Sequence, residues 1–214
     1  AAAWGRVVAI GVFDGVHRGH QMLLRHAIDA GRRLGLPSLV LTFSDHPLRL
    51  LAPPFAPPML STAEEKRQLL AQQGLDACLM LDFGPDLAST SPEDFLRTIV
   101  VDICGARHLV CGEDFRFGAK GAGNVELLRR LAPELGFEVE VLGDLIDGET
   151  AVRSSRVRAR LLMGDVEEAA RLLGRSYTLG GEVVYGDQRG RAIGFPTANI
   201  SCPPERLVPC NGVY

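Results

Sequence analysis

Gly11-Val12-Phe13-Asp14-Gly15-Val16-His17-Arg18-Gly19-His20 lies between an apolar run over 7–12 and a helical pattern over 19–34. A buried strand that runs through a glycine-rich turn into a helix aims the free N–H groups of the helix N-terminus at whatever occupies the turn. That end also carries partial positive charge, which suits phosphate. Gly15 and Gly19 allow the backbone to approach an anion closely. His17 and His20 are three residues apart, so one helical turn points both imidazoles to the same side, where they can stabilise charge building on a transferring phosphoryl group. The spacing fits neither G-x-G-x-x-G nor G-x-x-x-x-G-K-[ST], so neither a dinucleotide fingerprint nor a Walker loop is indicated. Two blander readings stand beside this one. The segment can be a simple glycine-rich turn with two partly exposed histidines. It can also be a zinc site in which Asp14 or His46 joins the histidines, although no sulfur ligand is placed nearby.

Outward from this segment, apolar runs at 39–43, 78–83, 108–111 and 137–142 alternate with helical patterns. Thr62-Ala63-Glu64-Glu65 has capping-box spacing and opens a helix through 73. Ser91-Pro92-Glu93-Asp94 opens another that runs to about 103, and 125–135 is a third. Near-continuous apolar strands alternating with helices predict an α/β fold with a parallel sheet covered on both faces. Its ligand site should lie beyond the carboxyl ends of the strands. Helices at 155–163 and 166–173 follow. From Tyr177 glycine and β-formers take over, which places a domain boundary near Gly174 and divides the chain into 1–174 and 175–214. A β-rich piece of that size seldom supports its own core, so the natural chain is expected to continue past Tyr214.

A formal net charge of −3 gives no bulk reason to expect nucleic-acid or membrane partners. No apolar run approaches the length of a membrane span, and the first residues do not read as a signal peptide. The cysteines, Cys78, Cys104, Cys111, Cys202 and Cys210, are odd in number and form no C-x-x-C pair. Free thiols in a reducing cytoplasm are the expectation.

The H-x-G-H form of His17 to His20 resembles the nucleotidylyltransferase superfamily. Three further segments narrow the resemblance: Thr42-Phe43-Ser44-Asp45-His46-Pro47, Gly112-Glu113-Asp114-Phe115-Arg116-Phe117-Gly118 and Arg153-Ser154-Ser155-Arg156-Val157-Arg158. Together they resemble the adenylyltransferase half of bacterial FAD synthases, over roughly 6–174. That resemblance implies a Rossmann-like domain in which His17 and His20 act on the ATP phosphates. It assigns Gly11, Phe13, Asp14, Gly15, Gly19, Asp114, Ser154, Ser155 and Arg158 to the nucleotide. His46, Phe115, Arg116 and Phe117 fall near the flavin. Each assignment also has a plain reading: His46-Pro47 as a strand-ending turn, Phe115 and Phe117 as core, Ser154 and Ser155 as caps, and Arg158 as a solvated charge. Two positions depart from the family pattern. Arg153 stands where the family's Ser-Ser-Thr run begins with serine, and Asp45 stands where proline is common.

Gly186-Asp187-Gln188-Arg189-Gly190-Arg191-Ala192-Ile193-Gly194-Phe195-Pro196-Thr197-Ala198-Asn199-Ile200 resembles the opening of the riboflavin kinase family, a small β-barrel. Thr197 and Asn199 carry oxygens suited to Mg²⁺. The family's catalytic glutamate lies further downstream, so this chain is not expected to phosphorylate riboflavin, whereas a longer parent would. The implied reaction of the first domain is attack of the FMN phosphate on the α-phosphorus of ATP, with Mg²⁺ on the triphosphate. The alternatives are a same-fold enzyme with another phosphorylated acceptor and a nucleotide-binding module without turnover. The oligomeric state is not legible.

Overall fold

Val7, Val8, Ala9 and Ile10 put apolar side chains on both faces of one strand, so that strand belongs inside a sheet covered on both sides. The computed structural model describes residues 5–187 and 194–214 and places it there. The strands are β1 (Arg6–Ile10), β2 (Ser38–Phe43), β3 (Ala77–Leu81), β4 (Ala106–Gly112) and β5 (Glu138–Leu142). They form one parallel sheet in the order β3-β2-β1-β4-β5. The helices are α1 (Arg18–Leu34), α2 (Leu48–Leu51), α3 (Ala63–Ala71), α4 (Pro85–Ser89), α5 (Pro92–Asp94), α6 (Val125–Leu135), α7 (Ser154–Leu162) and α8 (Val166–Leu173).

The period of two along β1 sorts the core into layers. Val8 and Ile10 face Phe95, Leu96, Val100 and, from α6, Leu128. Val7 and Ala9 face Leu24 and Ala27 of α1 and Leu70 of α3. Each fully buried side chain of this kind contributes about 1.5–3 kcal/mol. A third cluster joins Val157 and Leu161 of α7 to Leu172 and Leu173 of α8, with Leu60, Val152 and Leu207. The capping box is present: Thr62 accepts from the Glu65 amide and Glu65 accepts from the Thr62 amide. The strand expected over 7–12 stops at Ile10, because the chain turns sharply after Gly11. The expected helix over 91–103 is not uniform: α5 passes into a π-helical segment, Phe95–Ile103, where the Cys104 amide reaches back to the Ile99 carbonyl at 3.0 Å.

A short hairpin before α7, β6 (Ile146–Asp147) with β7 (Thr150–Ala151), was not legible in the sequence, and after α8 the described residues form one antiparallel pair, β8 (Glu182–Val184) with β9 (Asn199–Ser201). Both strands of the C-terminal pair are exposed. Residues 188–193 of the kinase-like motif lie outside the described residues. The segment around Arg206 does not stand apart from the sheet domain. The Met59 amide donates to Glu205 O at 2.7 Å, the Leu207 amide donates to Met59 O at 2.9 Å, and buried Arg206 pairs with Glu65 at 3.1 Å.

Candidate active site

In the strand order, β1 connects outward to β2 on one side and borders β4 on the other, and ligands of open α/β sheets lie at such a reversal. The loops after β1 and β4 line a cleft there of about 570 Å³. That size is ordinary for a small-molecule site.

The loop after β1 is strained and then held. Phe13 and Val16 have φ of 51° and 41°, positive values that cost a non-glycine residue about 1–3 kcal/mol each. Both side chains are buried, and that burial offsets the strain. Each carbonyl from Val12 to His17 accepts a hydrogen bond. Val12 O takes Thr42 Oγ1 at 3.0 Å and Lys66 Nζ at 3.1 Å. Phe13 O and His17 O take the Val16 and Gln21 amides. Asp14 O takes Ser154 Oγ at 3.0 Å, Gly15 O takes Arg175 at 2.8 Å, and Val16 O takes Gln21 Nε2 at 2.9 Å. Such a loop keeps its amide and imidazole donors in place before any ligand arrives, which is the condition for electrostatic stabilisation without reorganisation.

His17 is the N-cap of α1, and its Nδ1 accepts the His20 amide at 3.3 Å. The two rings stack with centroids 3.6 Å apart, and Phe13 meets His20 edge-on at 5.2 Å. The cap bond leaves Nε2 of His17 as the N–H donor. Burial, helped by Arg158, lowers the His17 pKa to about 4. Burial, followed by the neighbouring His17, pushes His20 well below its usual value. Both imidazoles are therefore neutral at pH 7, and they act on an anion as hydrogen-bond donors rather than as cations. Nδ1 of His20 is buried without a hydrogen-bond partner. Gly19 is required by crowding: a Cβ there would lie 2.9 Å from Val152 O and 3.2 Å from the His17 ring.

The cleft brings together most of the residues expected from sequence. Gly11, Phe13, His17, Gly19 and His20 line it from the loop after β1. Asp114, Phe115, Arg116 and Phe117 line it from the loop after β4, and His46 lines it from the loop after β2. Ser154 and Ser155 line it from the start of α7. Phe115 and Phe117 stack at 5.3 Å, and Phe117 is also a core residue, so the two readings of that side chain coincide. His46 caps α2 locally by accepting the Leu48 amide at 3.2 Å.

Asp14, Gly15 and Arg158, expected at the nucleotide, do not line the cleft. The Asp14 carboxylate is buried, 2 % exposed. It accepts from the Leu60 amide at 3.0 Å, the Ser61 amide at 3.1 Å and Arg158 at 2.5 Å. Arg158 also gives its Nε–H to Pro58 O at 2.8 Å. Through these two bonds the guanidinium ties α7 to the loop after β1. Gly15 has φ 76°, and a Cβ there would meet Leu60 at 2.9 Å. Thr197 and Asn199 are exposed and do not line the cleft. Their oxygens suit a hard cation in kind. Among the described residues no three His, Cys, Asp or Glu side chains cluster to hold a metal, so the zinc alternative gains no support.

Sequence reasoning missed Lys66, Thr42, Ser61 and Arg175. Lys66 is fully buried and donates to Val12 O and to Phe43 O at 2.7 Å, linking the ends of β1 and β2. In the run Glu64-Glu65-Lys66-Arg67 it reads as one more solvated helix charge, and no local signal separates it.

The FAD synthetase family matches residues 1–156, and the riboflavin kinase family matches residues 173–214. A bifunctional riboflavin kinase/FMN adenylyltransferase from Escherichia coli (strain K12) is 39% identical over 211 residues, covering 98% of this chain and 67% of that protein. A protein of the same name from Listeria monocytogenes is 36% identical over 210 residues, covering 98% and 66%. A crystal structure from Streptococcus pneumoniae described as a macrolide-efflux protein superposes with a TM-score of 0.86 at 33% identity, covering 98% of this chain and 68% of that one. No helix among the described residues of this chain is long and apolar enough to cross a membrane. The chain spans about two thirds of the length of these relatives, and it belongs to the bifunctional riboflavin kinase/FMN adenylyltransferase family, with its sheet domain in the FAD synthetase part.

Proposed function

We propose that this chain transfers AMP from ATP to FMN, giving FAD and pyrophosphate. The observation that carries the proposal is the pre-formed loop after β1, which sets two neutral imidazoles over the N-terminus of α1 at the mouth of the cleft. An FMN phosphate oxygen attacks the α-phosphorus, the bond to the bridging oxygen breaks, and pyrophosphate leaves with that electron pair. No covalent enzyme intermediate is required. The imidazole donors and the helix N-terminus stabilise the charge that builds on the phosphoryl oxygens, and the rigid loop aligns the reactants. Phe115 and Phe117 supply an aromatic wall for the flavin ring, with His46 on the facing loop.

Magnesium fits this site as an ion arriving on the triphosphate. Asp114 lines the cleft and would supply a carboxylate oxygen, and Mg²⁺ typically takes one or two carboxylates plus phosphates. When bound it neutralises triphosphate charge. The modular division near Gly174 is supported by the αL cap at that glycine and by the start of the riboflavin kinase match at residue 173. Riboflavin phosphorylation, with Thr197 and Asn199 at the metal, is proposed for the longer parent. A cytoplasmic location is in keeping with the free cysteines.

The test is direct. Purified chain with Mg²⁺, ATP and FMN is expected to form FAD and pyrophosphate in equal amounts, followed by chromatography and a coupled pyrophosphate assay. A folded chain that binds ATP and forms neither product would refute the proposal.

A further inference from the structure

Arg153 has no place in the mechanism above, yet its position in the cleft is specific. It is the N-cap residue of α7 but makes no side-chain capping bond. Its guanidinium lines the cleft, half exposed, between two carboxylates from different strand ends. Nε donates to Asp144 Oδ2 at 2.9 Å, Nη2 donates to the same oxygen, and Nη1 lies 3.6 Å from Asp114 Oδ2. Asp144 follows β5 and Asp114 follows β4. Among the described residues neither acid makes an ion pair with any other cation.

The residues on either side of Arg153 touch the phosphate loop. The Ser154 hydroxyl donates to Asp14 O, and Val152 O lies where a Cβ on Gly19 would meet it at 2.9 Å. Arg153 therefore enters the same part of the cleft as the His17 and His20 rings. Two carboxylates in that region would repel a polyanion, and a guanidinium between them cancels the repulsion. Its planar fork also matches phosphate oxygens in a way that the serine of the family pattern cannot.

We propose that Arg153 is a specificity-determining residue of this chain. It binds the β- and γ-phosphates of the nucleotide, exchanging its bonds to Asp144 and Asp114 for bonds to phosphate. This rests on the adenylyltransferase reading only in taking the ligand to be a nucleoside triphosphate. The acceptor does not enter.

Calorimetric titration of the whole chain with Mg-ATP and with AMP tests the proposal. Arg153→Ser is expected to weaken ATP roughly tenfold while AMP changes less than twofold, because AMP lacks the phosphates that the guanidinium would hold. Arg153→Lys, which keeps the charge but loses the fork, should fall between. Should Arg153→Ser not fold, Asp144→Asn supplies the measurement. Freeing the guanidinium and removing a repelling charge should tighten ATP at least twofold, and weaker binding would contradict the proposal. ATP affinity of Arg153→Ser within twofold of the wild type overturns it, and so does an equal loss for ATP and AMP, the mark of a merely structural residue. A wild-type chain that binds ATP but makes no FAD would refute the acceptor assignment and leave this comparison standing.

Discussion

His17 both caps a helix and faces the cleft, and its titration follows from that. Burial holds its pKa near 4, against 6.5 for an unfolded histidine. Between those values the unfolded state binds the proton that the folded state refuses, so stability rises with pH. The contribution is complete above about pH 6.5 and is lost as pH falls toward 4, amounting to about 3 kcal/mol for this group. Urea unfolding from pH 7.5 down to 4.5 should show that decline. His17→Asn keeps a capping acceptor and should make it shallower, leaving the share of His20, which burial also keeps neutral. An unchanged slope in the variant would mean that the imidazole is not held neutral by burial. The two histidines were legible because their spacing on a helix start has direct geometric meaning. The work of Asp14 and Arg158 was not, because it depends on an ion pair between residues 144 positions apart. Sequence names both residues but cannot show that they pair with each other.

At the scale of elements, legibility follows how local the cause is. The capping box at Thr62 and Glu65 appears where the sequence places it, because a cap is a contact across three residues. The helix over 125–135 matches α6 in full, with αL Gly136 ending it. Strand ends shift by at most two residues, because pairing with a neighbour rather than the apolar run sets where a strand stops. The π-helical turns of Phe95–Ile103 leave no mark in the periodicity, and α2 and α4 are too short to have one. The site needs little of that detail. It needs four strand ends and two helix starts, and those were readable from alternation alone.

Arg206 is one of the places where the C-terminal segment is fastened to the sheet domain. Arg206 donates to Met59 O at 3.1 Å and Thr178 O at 2.8 Å, and it pairs with Glu65, whose carboxylate also closes the α3 cap. The neighbouring Leu60 and Ser61 amides hold Asp14 in the loop after β1. Arg206→Ala should therefore speed hydrogen exchange at the Met59 and Leu207 amides by roughly tenfold, the loss of a buried charged hydrogen bond. Exchange within twofold of the wild type would show that Leu207 packing alone holds the junction. For the molecule as an enzyme, everything turns on the loop after β1. The deciding measurement is single-turnover transfer of label from α-³²P-ATP into FAD by the wild-type chain and by His20→Ala. Rapid transfer by the wild type and a loss of about 10²–10³ in the variant are predicted. A His20→Ala rate within tenfold of the wild type would contradict the account.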